Sequence, residues 1–270
     1  MGDSAMKLAV LIDADNAQAS AVGLLLAEVA KYGTASVKRA YGDWTSPSLK
    51  SWKGQLLMQS IQPVQQFPHQ GKTLTASALT IDAMDLLHMG TFDGFCIISS
   101  DGDFTRLAAR IRESGLVVYG MGERKTPEPF VASCDRFIYV ENLAIERAQN
   151  LPLPSTGPGD DHTPSSSPNR KPHLQRAHSA PAPATIDPNV IHQLRAVVRD
   201  VAGDDGWAPL AKVDILITKR FPDFDPRNYG HLKLGELITA TSKFQLTQRS
   251  PGNGKPPMVF ARDNQFYTET

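Results

Sequence analysis

Two short apolar runs, each ending in aspartates, do most to limit what this chain can fold into. Lys7-Leu8-Ala9-Val10-Leu11-Ile12 leads into Asp13-Ala14-Asp15-Asn16, and Phe95-Cys96-Ile97-Ile98 leads into Ser99-Ser100-Asp101-Gly102-Asp103-Phe104. Runs this short and this apolar predict buried strands, and the periodic Leu107 and Ile111 after Phe104 predict an amphipathic helix. Both acid pairs therefore fall on strand-to-helix turns, at the carboxyl edge where open α/β sheets bind ligands. Local roles compete with a functional one. Asp103 suits the N-cap of its helix, Asp101 a turn hydrogen bond, and Asp15 and Asn16 the cap of a helix expected over 17–32. Gly102 is expected to supply a positive φ in the turn.

Gathering like charges on one sheet edge opposes folding unless a cation neutralises them, so convergence of the two turns points to a divalent metal site. On this ground Asp13 reads as a ligand and Asn16 as a cap. Between and beyond the turns, strand and helix alternate as far as residue 142, the pattern of a parallel sheet with helices on both faces. Further strands are expected over 35–41, 63–67, 117–121 and 137–140, and helices after Pro47 and over 75–88.

Lysine plus arginine equals aspartate plus glutamate, 28 against 28, so any grip on nucleic acid must come from local patches. The two cysteines, Cys96 and Cys134, lack metal-ligand spacing and read as buried thiols. No apolar run approaches membrane-spanning length, and Met1–Met6 lacks a signal-peptide core, so no membrane association and a cytoplasmic location are expected.

Residues 150–186 are dominated by Pro, Ser, Gly and polar side chains and read as a flexible linker between a domain at 1–149 and another at 187–270. The second domain opens with Asp187-Pro188, a cap followed by a first-turn proline, and a helix carrying Ile191, Leu194, Val197 and Val198 on one side. Another helix runs to Lys219, a third is expected over 229–239, and strands over 244–249 and 257–262 complete a winged helix. Trp207, Leu210, Leu216, Phe221, Phe224 and Leu234 are its expected core.

The strings LIDADN, SALTIDAMDLLHMG, ISSDGDF and VVYGMGE make residues 7–142 resemble a bacterial NYN domain, a member of the PIN-like nuclease superfamily. GWAPL and RFPDFDPRNYGHLKLGEL make residues 187–262 resemble a LOTUS, or OST-HTH, domain. The resemblance implies a PIN-like Rossmannoid α/β fold and a metal-dependent endoribonuclease. Asp13, Asp101 and Asp103 would hold Mg2+ or Mn2+ and activate a water for phosphodiester hydrolysis. Asp15, Asn16, Ser99 and Ser100 would support those ligands through hydrogen bonds. Lys72 and Arg106 are candidate phosphate contacts, and Arg227, Tyr229, His231 and Lys233 candidate RNA contacts of the LOTUS domain. That domain is also a candidate docking site for a protein partner.

One position departs from the family pattern. The helix after Lys72 ordinarily opens with an acid, which here falls on Ala76. Asp82 lies six residues on, about 9 Å along the helix axis, too far to substitute. Two functions follow: a metal-dependent ribonuclease guided by its LOTUS domain, or a pseudo-nuclease that binds RNA or protein without cutting.

Overall fold

A computed structural model of the chain describes residues 5–68, 74–150, 186–250 and 256–267. Lys72 and residues 151–185, which make up nearly all of the expected linker, lie outside these described residues.

Six strands, β1 (Lys7–Asp13), β2 (Thr34–Gly42), β3 (Gln62–Gln65), β4 (Gly94–Ile98), β5 (Val117–Gly122) and β6 (Arg136–Tyr139), build one sheet in the order β3-β2-β1-β4-β5-β6. All five ladders are parallel. The two central strands are apolar from Leu8 to Ile12 and from Phe95 to Ile98 because both their faces are covered. Ala9, Leu11, Phe95 and Ile97 point into one core, and Leu8, Val10, Ile12, Cys96 and Ile98 into the other, as a two-residue side-chain period requires. The first core is closed by α3 (Thr75–His88), α4 (Thr105–Glu113) and α5 (Glu128–Ser133), through Leu79, Leu107, Ile111 and Phe130. The second is closed by α1 (Val22–Val29), α2 (Trp52–Met58) and α6 (Val140–Asn150), through Val22, Leu25, Trp52 and Leu143. Both cysteines are buried free thiols.

The second unit holds α7 (Pro188–Val201), α8 (Leu210–Arg220) and α9 (Leu234–Thr241) with three short antiparallel strands. These are β7 (Ala208–Pro209), β8 (Phe244–Arg249) and β9 (Met258–Asp263), in the order β7-β9-β8. The Asp187 carboxylate accepts from the Asn189 amide, and Pro188 begins α7, the cap expected from the sequence. Among the described residues, no helix is long and apolar enough to cross a membrane.

Several local expectations are corrected. The helix expected over 17–32 is a 3-10 turn at Ala19–Ala21 followed by α1, and Asn16 caps neither. The stripe of α7 is Val190, Leu194, Val197 and Val198, so its buried face includes Val190 in place of Ile191. The third helix of the small unit begins at Leu234. Residues Pro226–Tyr229 form a 3-10 turn closed by Gly230 at φ 81°, a conformation an L side chain resists. Gly102 needs no positive φ, because it opens a 3-10 turn instead. Phe224 and Leu234 lie in the small core, with Leu210, Leu216 and Phe221 packed against it, but Trp207 stands outside it.

The two units touch along β6 and the segment 222–228. The Phe137 amide donates to the Pro222 carbonyl at 2.7 Å, which extends the hydrogen bonding of β6, the strand at that end of the sheet. The Tyr139 hydroxyl donates to Asp223 at 3.1 Å, and the Asn142 amide donates to Asn228 at 2.8 Å.

Candidate functional site

The strand order reverses direction between β1 and β4, and a doubly wound sheet opens its ligand crevice at the carboxyl ends of such a pair. Ile12 pairs with Ile98, so the next residues, Asp13 and Ser99, come side by side at the ends of these strands. The Ser99 hydroxyl donates to Asp13 Oδ2 at 2.7 Å, and the Asn16 side-chain amide donates to the same oxygen at 2.8 Å. Asp13 is 1% exposed, and its other oxygen, Oδ1, is buried with no hydrogen-bond partner. Burial pushes the Asp13 carboxyl above its ordinary pKa, against the opposing hydrogen bonds of Asn16 and Ser99.

The second turn is built from its own hydrogen bonds. The Asp101 amide donates to Ser99 Oγ at 3.0 Å, and the Asp101 carboxylate accepts from the Asp103 amide at 3.0 Å, so Asp101 is the cap and Asp103 is not. Ser100 Oγ accepts from the Glu123 amide at 2.8 Å, tying this turn to the end of β5. That approach needs a glycine at 122, since a Cβ there would lie 2.5 Å from the Ser99 carbonyl oxygen. Asp103 is exposed on the first turn of the helical segment, and Arg106 is exposed one turn later.

The start of α3 reaches the same edge. Thr75 donates its hydroxyl to Asp15 at 2.6 Å, and Ala76 follows, half-buried against the core under α3 and α4. Asp82 is turned away, bonded to Arg39 and Tyr41. It therefore does not stand in for an acid at 76, as the helix spacing anticipated.

The fit of this edge to a divalent cation is mixed. The orphaned Oδ1 of Asp13 is the kind of atom a cation satisfies. Yet among the described residues no three His, Cys, Asp or Glu side chains gather closely enough to hold a metal. Asp101 is engaged with the turn, Asp103 faces solvent, and position 76 offers a methyl group. In this arrangement the donors do not compose a multi-carboxylate centre.

The four residues expected to contact RNA in the small unit divide. Lys233 is exposed, and His231 is half-buried beside it. Tyr229 packs against the core with its ring 6.1 Å from that of Phe224. Arg227 corrects the expectation most clearly. It is 7% exposed, and its guanidinium donates to Asp225 and, across the two units, to Glu28 at 2.9 and 3.1 Å and Glu146 at 2.6 Å. A side chain bound on all sides by carboxylates is not an accessible phosphate contact. The sequence reading missed Glu28 and Glu146. The available signal was Glu28 itself, an acid inside the apolar stripe Leu24-Leu25-Leu26-Ala27-Glu28-Val29 that needs a buried cation.

Comparison with known proteins follows the same division. The model of the NYN domain matches residues 7–143, and that of the OST-HTH/LOTUS domain matches residues 185–256. Curated proteins return no match. Among solved structures, a protein of unknown function from Vibrio parahaemolyticus is 19% identical over 51% of this chain and 94% of its own, with a TM-score of 0.43. The solution structure of an uncharacterised protein from Nitrosomonas europaea is 30% identical over 38% of this chain and 92% of its own, with a TM-score of 0.28. The chain, matched over half its length by the NYN family model, belongs to the NYN domain family and carries an OST-HTH/LOTUS domain behind it.

Proposed function

We propose that this protein binds RNA through both of its domains, 1–149 and 187–270, with 150–186 as the linker between them, and that its NYN domain is impaired as a nuclease. The observation that carries this reading is the opening of α3. The helix brings Thr75 into contact with Asp15, so its first turn stands at the acidic edge, and there it presents Ala76 where the family pattern has an acid. With Asp101 held in its turn and Asp103 in solvent, the described residues of this edge do not gather a set of donors for two-sided charge stabilisation of a phosphodiester under attack. Electrostatic recognition of a phosphate backbone by exposed cations such as Arg106 and Lys233 requires no such set.

A second reading, a metal-dependent endoribonuclease using Mg2+ or Mn2+, is favoured by one specific atom, the buried and unpartnered Oδ1 of Asp13. Asp13 would be the central ligand, with Asp101 and Asp103 the further carboxylates of the set that the family resemblance implies. The bound cation would supply an activated water and charge neutralisation. Ser99 and Asn16 would hold Asp13 in place through the hydrogen bonds described above.

Cleavage of a labelled structured RNA with manganese, by the parent chain and by Ala76→Asp, separates the two. The impaired reading expects little cleavage by the parent and a gain of roughly tenfold or more in the variant, the scale on which one well-placed charge acts. Strong metal-dependent cleavage by the parent, unimproved by the new acid, would establish the second reading instead.

A further inference from the structure

Trp207 is a large aromatic residue that lies outside the core of the small domain. The register of the three-stranded sheet explains where it goes. Ala208 faces Ala261, and both are buried, so the neighbouring residues Trp207 and Arg262 fall on the opposite face, by the two-residue alternation of strands. The same alternation places Gln245, Thr247 and Arg249 of β8 and Phe260 of β9 on that outer face, while Phe244, Leu246 and Ala261 point to the core.

On this face two rings and two guanidinium groups form one continuous stack. The Arg262 guanidinium lies 4.3 Å from the Trp207 ring centroid, and that of Arg249 lies 5.1 Å from Trp207 and 5.0 Å from Phe260. The stack is held in shape. Asp205 accepts from the Trp207 amide at 3.1 Å and from Arg249 at 2.9 Å, and Arg262 donates to Gln245 at 2.6 Å. Gly206, at φ 72°, makes the turn that sets the indole there. The Arg249 side chain is still 44% exposed. Neither Trp207 nor Phe260 belongs to the packed core of the domain.

We propose that this outer sheet face is a binding site for single-stranded RNA. Unpaired bases stack on the guanidinium and aromatic planes of this face, and the flanking phosphates meet Arg249 and Arg262. A sheet face combining aromatic rings with arginine suits unpaired nucleotides because every base presents a π-face, whereas a duplex keeps its bases stacked on one another. Planar guanidinium groups already stacked on rings are pre-organised to add a further layer, which a lysine cannot do. The site also accounts for how the domain meets RNA although Arg227 is buried against the NYN domain. It rests on the RNA-binding reading given above.

The test uses the full chain, a dye-labelled oligouridylate of about 12 nucleotides, and a duplex of the same length. The parent is expected to prefer the single strand. Arg249→Ala with Arg262→Ala is expected to weaken binding roughly tenfold or more and to flatten its dependence on salt. Arg249→Lys with Arg262→Lys keeps both charges on long stems, so it guards against a folding defect, and it is expected to recover only part of the loss. Parent-like binding by the alanine pair would overturn this site while leaving RNA binding elsewhere intact. Full recovery by the lysine pair, or a preference for the duplex, would overturn the stacking role. Absence of binding to either RNA by the parent would instead remove the RNA reading itself.

Discussion

Asp13 and Glu28 are both buried carboxylates on the NYN domain, 1% and 3% exposed, yet their surroundings are opposite. Glu28 is met by Arg227 from the LOTUS domain, by Lys31 at 2.8 Å and by the Tyr32 hydroxyl at 3.0 Å. Burial alone would push its pKa up, but the hydrogen bonds from Arg227 and Lys31 outweigh that and hold it at about 2. Asp13 has two neutral donors on one oxygen and none on the other, and burial leaves its pKa raised. Equal loss of water thus gives a firmly ionised acid in one place and an uncompensated one in the other. The difference is a cation: Arg227 and Lys31 supply it for Glu28, and the hydrogen bonds to Asp13 come from neutral donors.

The largest test of this contrast removes the cation. Arg227→Met leaves Glu28 and Asp225 buried without their guanidinium, and is expected to lower stability by about 3–5 kcal/mol in urea unfolding. A loss below about 1 kcal/mol would mean that the two domains do not hold this contact in solution.

Acid titration gives the next effect. The folded pKa of Glu28 lies below its ordinary value of 4.5, so its contribution is fully present above that value and is lost as pH falls toward about 2. The contribution is roughly 3 kcal/mol. Unfolding of Glu28→Gln should therefore depend less on pH across this window than that of the parent, and equal slopes would remove the contrast.

The smallest effect is at the acidic edge. Asp13→Asn keeps the shape and removes the desolvated charge, so without divalent ions it is expected to match the parent or exceed it by about 1 kcal/mol. Manganese should raise the melting temperature of the parent and not of the variant if a cation completes this site. A clear loss of stability in metal-free Asp13→Asn would show that the charge is compensated after all.

Legibility from sequence followed the range of the interactions. The runs Lys7–Ile12 and Phe95–Ile98 announced central strands, because a strand covered on both faces must be apolar at every position. Their following aspartates announced the carboxyl edge, and the Asp187-Pro188 pair announced a helix start, because caps and first turns are set by near neighbours. Phase was harder. Val190 and Ile191 are equally apolar, so their order in the stripe of α7 is decided by what the helix packs against. Trp207 was harder still, since an indole suits a core or a cation-rich surface, and the pairing of Ala208 with Ala261 is what turns it outward.

By itself, then, the sequence determined the strand-helix alternation, the placement of Asp13 and Asp101 at strand-to-helix turns, and the absence of an acid at Ala76, all consequences of local pattern. Only the tertiary structure decided which polar groups share their burial. Glu28 and Arg227 are separated by 199 residues and meet across two domains, whereas Asp13 Oδ1, a few residues from three other acids or amides, meets none of them. The physical reason is that desolvation and charge pairing depend on distance in space, and no local pattern of residues carries that distance.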